Sequence, residues 1–126
     1  MKTVHDMVDA AKANIHEVSV GDADAAINGA DYLIDVREAD EFHDGHIAGA
    51  INIPRGLLEF KMSNDETLSA RDKHIVLYCK TSGRAALSAM ALQELGYQHV
   101  SSIAGGFDAW VAAGKNVVSP KLPEFD

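Results

Sequence analysis

Cysteine occurs once in this chain of 126 residues, at position 79. That scarcity rules out an internal disulfide, a CxxC redox pair and a multi-cysteine zinc centre. A covalent intermediate on Cys79 would have no internal thiol to resolve it, so an outside molecule would have to discharge it. Basic residues are also few, 11 Lys and Arg against 19 Asp and Glu, which leaves a net charge of −8. Such a chain is poorly suited to nonspecific nucleic-acid binding or to docking on anionic membranes. No apolar run approaches the ~18–20 residues that span a bilayer. The amino terminus, MKTVHDMVDAAKANI, has His5, Asp6, Asp9 and Lys12 where a signal peptide needs an apolar stretch, so a cytoplasmic location is expected. There are only three prolines, and no repeat, low-complexity tract or Pro/Gly/Ser linker divides the chain. What remains is ordinary: 47% hydrophobic and 24% charged residues, in about one domain's length. Disordered, collagenous and disulfide-scaffold classes are excluded.

Periodicity supplies the elements. Val4, Met7, Val8, Ala11 and Ile15 fall on one face of a helix over residues 4 to 15, and Thr3 and Asp6 have the spacing of a capping box. Val18 and Val20 suggest a short strand, with Asp22 or Asp24 capping a helix through Ala30. Residues 32 to 36 (YLIDV) read as a buried parallel strand, and 38 to 43 as one helical turn before Gly45. Residues 50 to 53 read as a short strand stopped by Pro54, 57 to 62 as helix and 63 to 72 as loop. The clearest strand is HIVLY, residues 74 to 78, which runs straight into Cys79. A largely buried helix follows from about Arg84 to Leu95, with Gly96 as its C-cap. Residues 99 to 103 make a strand, Gly105-Gly106 a turn and 107 to 113 a last helix, and residues 117 to 126 form a tail that is expected to lie over the surface or fray. Strands alternating with helices define an α/β domain with a mainly parallel central sheet.

A lone cysteine is ordinarily a small core hydrophobe, but the surroundings of Cys79 argue for chemistry. It stands at the carboxyl end of a parallel strand, the edge where open α/β sheets bind ligands. Lys80, Thr81, Ser82 and Gly83 are small or polar enough to wrap backbone N–H groups around one centre as an anion nest. The helix beginning near Arg84 adds its positive dipole end, and both effects favour a thiolate. Lys80 and Arg84 add positive charge. Each loop residue also has a plainer role available: Arg84 paired with an acid such as Asp35 or Glu38, Lys80 solvated, and Thr81 and Ser82 bonded within the loop.

Three segments, in order, resemble the rhodanese-like domain family. LIDVREADEFHDGHIAGAINIP (33 to 54) resembles its amino-terminal signature, YCKTSGRAALSAMALQELGY its active-site loop and following helix, and residues 103 to 110 its closing Gly-Gly-x-x-x-Trp motif. The likeness covers about residues 16 to 115. Residues 1 to 15 look like an amino-terminal helical extension, with residues 16 to 126 as the rhodanese-like domain of a single-domain protein. The resemblance implies a three-layer α/β fold and a sulfurtransferase that carries its sulfur as a persulfide on Cys79. Residues Lys80, Thr81, Ser82, Gly83 and Arg84 would bind the substrate, and Asp35 and Arg37 would support the loop through ion pairs. His46, Phe107 and Trp110 are expected to pack. The spacing here is Cys-x4-Arg, whereas related cysteine-dependent phosphatases use Cys-x5-Arg to fit a whole phosphate.

Neither metal nor organic cofactor is expected. The implied partners are a small anionic sulfur donor such as thiosulfate and an acceptor that is cyanide, a thiol or a protein cysteine, with neither nucleic acid nor membrane. The amphipathic amino-terminal helix offers a face for a homodimer. The competing readings are a sulfur-binding or protein-interaction module and, further off, a cysteine-dependent phosphatase or arsenate reductase.

Overall fold

The computed structural model describes residues 1–120. Its centre is a five-stranded sheet in the order β1-β5-β4-β2-β3, with β1 His16–Val18, β2 Tyr32–Asp35, β3 Ile51–Asn52, β4 His74–Tyr78 and β5 His99–Ile103. Every pairing is parallel. The helices are α1 Val4–Lys12, α2 Ala23–Asn28, α3 Ala39–Asp44, α4 Leu58–Asn64, α5 Gly83–Glu94 and α6 Gly106–Ala112.

Side chains alternate between the two faces of a strand, and β4 shows what this does. Ile75, Leu77 and Cys79 enter one core with Leu58 and Met62 of α4 and Ala85, Ala89 and Leu92 of α5. Val76 and Tyr78 enter the other, with Ala23 of α2 and Trp110 of α6. The period-two pattern therefore delivers Cys79 to the α5 side of the sheet. Both faces are covered, which is why β2 and β4 read as near-continuous apolar runs.

The expected bounds of β4 and β5 match those observed. At the sheet edge they shift. β1 lies at His16–Val18, earlier than Val18 and Val20 suggest, and Val20 belongs to a 3₁₀ turn. α1 starts with the expected reciprocal cap, Asp6 N–H donating to Thr3 Oγ1 and Thr3 N–H to Asp6 Oδ2. It stops at Lys12, short of Ile15, because the chain must turn into β1. Of its apolar face only Ala11 is buried; Val4 and Met7 are exposed, and the helix packs along α5. Asp22 occupies the cap position of α2 without a side-chain capping bond. In the tail, Val118 pairs with His46 in an antiparallel bridge, while residues 121–126 lie outside the described residues.

Candidate active site

Cys79 leaves the end of β4 at the bottom of a pocket of about 490 Å³ whose walls are α1, the loop Thr81–Ser82 and the first turns of α5. The residue is 1% exposed. Its Sγ accepts a bond from the Ala85 N–H at 3.3 Å, so the sulfur lies against the amino-terminal turn of α5. Amides of a first helical turn have no carbonyl behind them, which leaves N–H groups there free to face a ligand.

The floor under the loop is α6. Phe107 N–H donates to the Cys79 carbonyl at 2.8 Å and Asp108 N–H to the Lys80 carbonyl at 2.9 Å. The carbonyls of Cys79, Lys80 and Thr81 crowd Gly106, where an added Cβ would lie 2.5, 2.9 and 2.2 Å from them. Across a trans peptide the N–H points opposite to the C=O. With three carbonyls turned down onto α6, the N–H groups of Lys80, Thr81 and Ser82 point to the other side. Gly106 also has φ +57, the left-handed region. The Gly-Gly pair read as a turn is thus the seat of the loop.

The charged side chains are differently engaged from what the sequence alone suggests. Arg84 forks onto Glu41 of α3, with Nη1 at 2.7 Å from Oε1 and Nη2 at 3.0 Å from Oε2. Its partner is therefore neither Asp35 nor Glu38. Hydrogen bonds from Arg84 hold the Glu41 carboxyl down at about 2, and the same bonds raise the Arg84 guanidinium above its ordinary value. Lys80 points away from the Cys79 pocket, to Asp108 Oδ2 at 2.9 Å; it lines a separate pocket of about 230 Å³ with Arg37 and Phe107. Ser82 Oγ accepts from Lys12 Nζ at 2.7 Å, and Thr81 is exposed at the rim.

Asp35 and Arg37 form a buried pair behind the loop. Arg37 Nε and Nη2 reach the Asp35 carboxylate at 2.7–3.0 Å, and Nη2 also donates to the Gly45 carbonyl. The guanidinium lies 4.2 Å from the Phe107 ring centroid, directly after the glycine that seats the loop. Burial disfavours the Arg37 charge, but Asp35 outweighs it and leaves that group above its ordinary value. Burial, with the Asp35 charge, also pushes the Tyr78 phenol up, and its oxygen accepts from Ile47 N–H. Trp110 and His46 are packed as expected, Trp110 donating to the Asn116 carbonyl and His46 stacking on Phe42.

Sequence reasoning missed Lys12, Glu41 and Asp108. The available signal for Lys12 is its position: it continues the i, i+4 stripe Val4–Val8, so it shares the face that meets the pocket. Two further clefts of about 450 Å³ lie away from Cys79, one at the amino ends of β1, β4 and β5 and one beside Trp110.

Comparison with known proteins identifies the family of this fold. The family model for the rhodanese-like domain matches residues 19–113, and the chain belongs to that family. It is 41% identical over 78 residues to the uncharacterized protein YqhL of Bacillus subtilis, across 62% of this chain, and spans about three fifths (59%) of that relative's length. It is 30% identical over 89 residues to a protein named sulfurtransferase from Allochromatium vinosum, covering 71% of this chain and 79% of the relative. Among solved structures it is similar to a Rhodopseudomonas palustris protein of unknown function, described as a possible tyrosine phosphatase. The TM-score is 0.85 with 32% identity, covering 94% of this chain and 96% of that one.

Proposed function

We propose that this protein is a sulfurtransferase in which Cys79 takes the sulfane sulfur of thiosulfate or a related donor and passes it to a thiophilic acceptor. The observation that carries the reading is the position of Cys79 Sγ: at the floor of a pocket, against the first turn of α5, beside a loop whose carbonyls turn away onto Gly106. In the first half-reaction the Cys79 thiolate attacks the outer sulfur of thiosulfate. A new S–S bond forms, the S–S bond of thiosulfate breaks, and its electron pair leaves with sulfite. Cys79 then carries a persulfide anion, stabilised by backbone N–H groups of residues 80 to 84 that are in place before the reaction. In the second half-reaction cyanide, a thiol or another protein's cysteine attacks the terminal sulfur and the Cys79 thiolate leaves, a ping-pong scheme. Cys79 is the nucleophile, Lys80, Thr81, Ser82, Gly83 and Arg84 form the cradle through their backbone, and Asp35 and Arg37 hold the strand end beneath it.

Two observations weigh against phosphatase chemistry. The Cys-x4-Arg loop is one residue shorter than the phosphatase spacing, and the Arg84 fork that would grip a phosphate is bonded to Glu41. The test is a paired assay on the parent and Cys79→Ser: thiocyanate formed from thiosulfate and cyanide, and phenol released from an aryl phosphate. Thiocyanate from the parent alone, with no phosphate hydrolysis, is expected. Phosphate hydrolysis without thiocyanate overturns the proposal.

A further inference from the structure

The pocket over Cys79 is closed on one side by a helix that the family match, residues 19–113, does not include. α1 contributes Val4, Val8 and Lys12 to that wall, together with His5 and Asp9. The basic side chains around this pocket differ in what they are paired with. Arg84 is matched by both oxygens of Glu41. His5 stands 3.3 Å from Asp9, one turn along α1. Lys12 ends instead on a neutral atom, Ser82 Oγ at 2.7 Å, and among the described residues no carboxylate lies within ion-pair distance of it. An ammonium has three N–H donors. With one used on Ser82, Lys12 retains two donors and a positive charge with no ion-pair partner among the described residues, at the mouth of the pocket.

We infer that Lys12 receives the anionic end of the molecule that reacts at Cys79, so that α1 sets the charge preference of the site. Under the sulfurtransferase reading, on which the donor's identity rests, the sulfonate end of thiosulfate meets Lys12 while its outer sulfur reaches Cys79. The role expected of Lys80 and Arg84, offsetting the donor's charge, passes to a residue about 70 positions away in sequence from the loop it serves. α1 is then part of the site, with Val4 and Val8 lining the same wall as Lys12.

The test uses the full chain and two reagents of similar size and opposite charge character. Cys79 is the only thiol, so alkylation reads one site. Rates with iodoacetate, an anion, and iodoacetamide, which is neutral, are measured for the parent, Lys12→Met and Lys12→Arg. Lys12→Met is expected to lower the iodoacetate rate relative to iodoacetamide about fivefold, the effect of one charge a few ångströms away at a half-exposed site. Lys12→Arg restores the ratio, and added salt erodes it in the parent but not in Lys12→Met. The neutral reagent controls for folding and access: if both rates change by the same factor, Lys12 only anchors α1 to the loop and the inference is overturned. Loading by thiosulfate separates this from the reading beneath it. A Lys12-dependent preference for iodoacetate in a parent that thiosulfate never loads supports the anion role and overturns thiosulfate as the donor.

Discussion

Adding one methyl group at Gly106 separates the loop's seat from its chemistry. An alanine Cβ there would sit 2.2, 2.5 and 2.9 Å from the carbonyl oxygens of Thr81, Cys79 and Lys80, all backbone atoms with no side-chain freedom to absorb the contact. Carbon and oxygen in ordinary contact stand about 3.3 Å apart, so the loop must rise by about 1 Å. That movement stretches the Phe107 N–H and Asp108 N–H bonds to the loop, now 2.8 and 2.9 Å. The left-handed φ adds about 1–2 kcal/mol for any residue with a Cβ, and overpacking about 1–3 kcal/mol more. Gly106→Ala should therefore lose about 3 kcal/mol of stability in urea unfolding. A misplacement of ~1 Å also costs about a hundredfold in rate at a preorganised site, read here as single-turnover sulfur loading of Cys79 from thiosulfate. Gly114→Ala is the control. It has φ +75 with nothing within 4 Å of the added Cβ, so it bears the conformational cost without the clash and should load sulfur at the parental rate. If Gly106→Ala loads as fast as Gly114→Ala, the carbonyl-down loop is not what holds the site.

The other predictions concern the charged frame. Arg37→Met removes the Nε and Nη2 donors from a fully buried Asp35 and should cost about 3–5 kcal/mol in thermal unfolding, with most of the loss recovered in Asp35→Asn/Arg37→Met; a loss below about 1 kcal/mol would refute the structural role of the pair. Glu41 sits at about 2 against an ordinary 4.5, so its pair with Arg84 stabilises fully above about pH 4.5 and loses that contribution as pH falls toward 2. Both side chains are roughly a third exposed, so solvent screening limits the effect: Glu41→Gln should be less stable than the parent by at most about 1 kcal/mol at pH 6. The gap should close between pH 4.5 and 2, and a gap that widens over that range contradicts the pairing.

What the sequence makes legible is what local pattern encodes. HIVLY is apolar on both faces because helices cover both, and its bounds follow from that; the cysteine at its end inherits a ligand-binding edge from the parallel topology. The edge strand β1 is half-exposed and carries His16 and Glu17, so its pattern is weak and points two residues too late. The pairings that decide the electrostatics join residues far apart in sequence, Arg84 with Glu41, Lys80 with Asp108 and Lys12 with Ser82. No spacing rule connects them, because each depends on which helix end the fold brings to the loop. The Gly105-Gly106 pair is visible as a turn, but the reason Gly106 must be glycine is the three carbonyls that rest on it from another segment.

The central claim is that Cys79 carries sulfur. The direct measurement is the intact mass of the full chain after incubation with thiosulfate, alongside Cys79→Ser. A gain of one sulfur atom in the parent, removed by cyanide and absent from the variant, is the predicted result. An unchanged mass in a protein whose Cys79 still reacts with an alkylating agent would contradict thiosulfate as the donor.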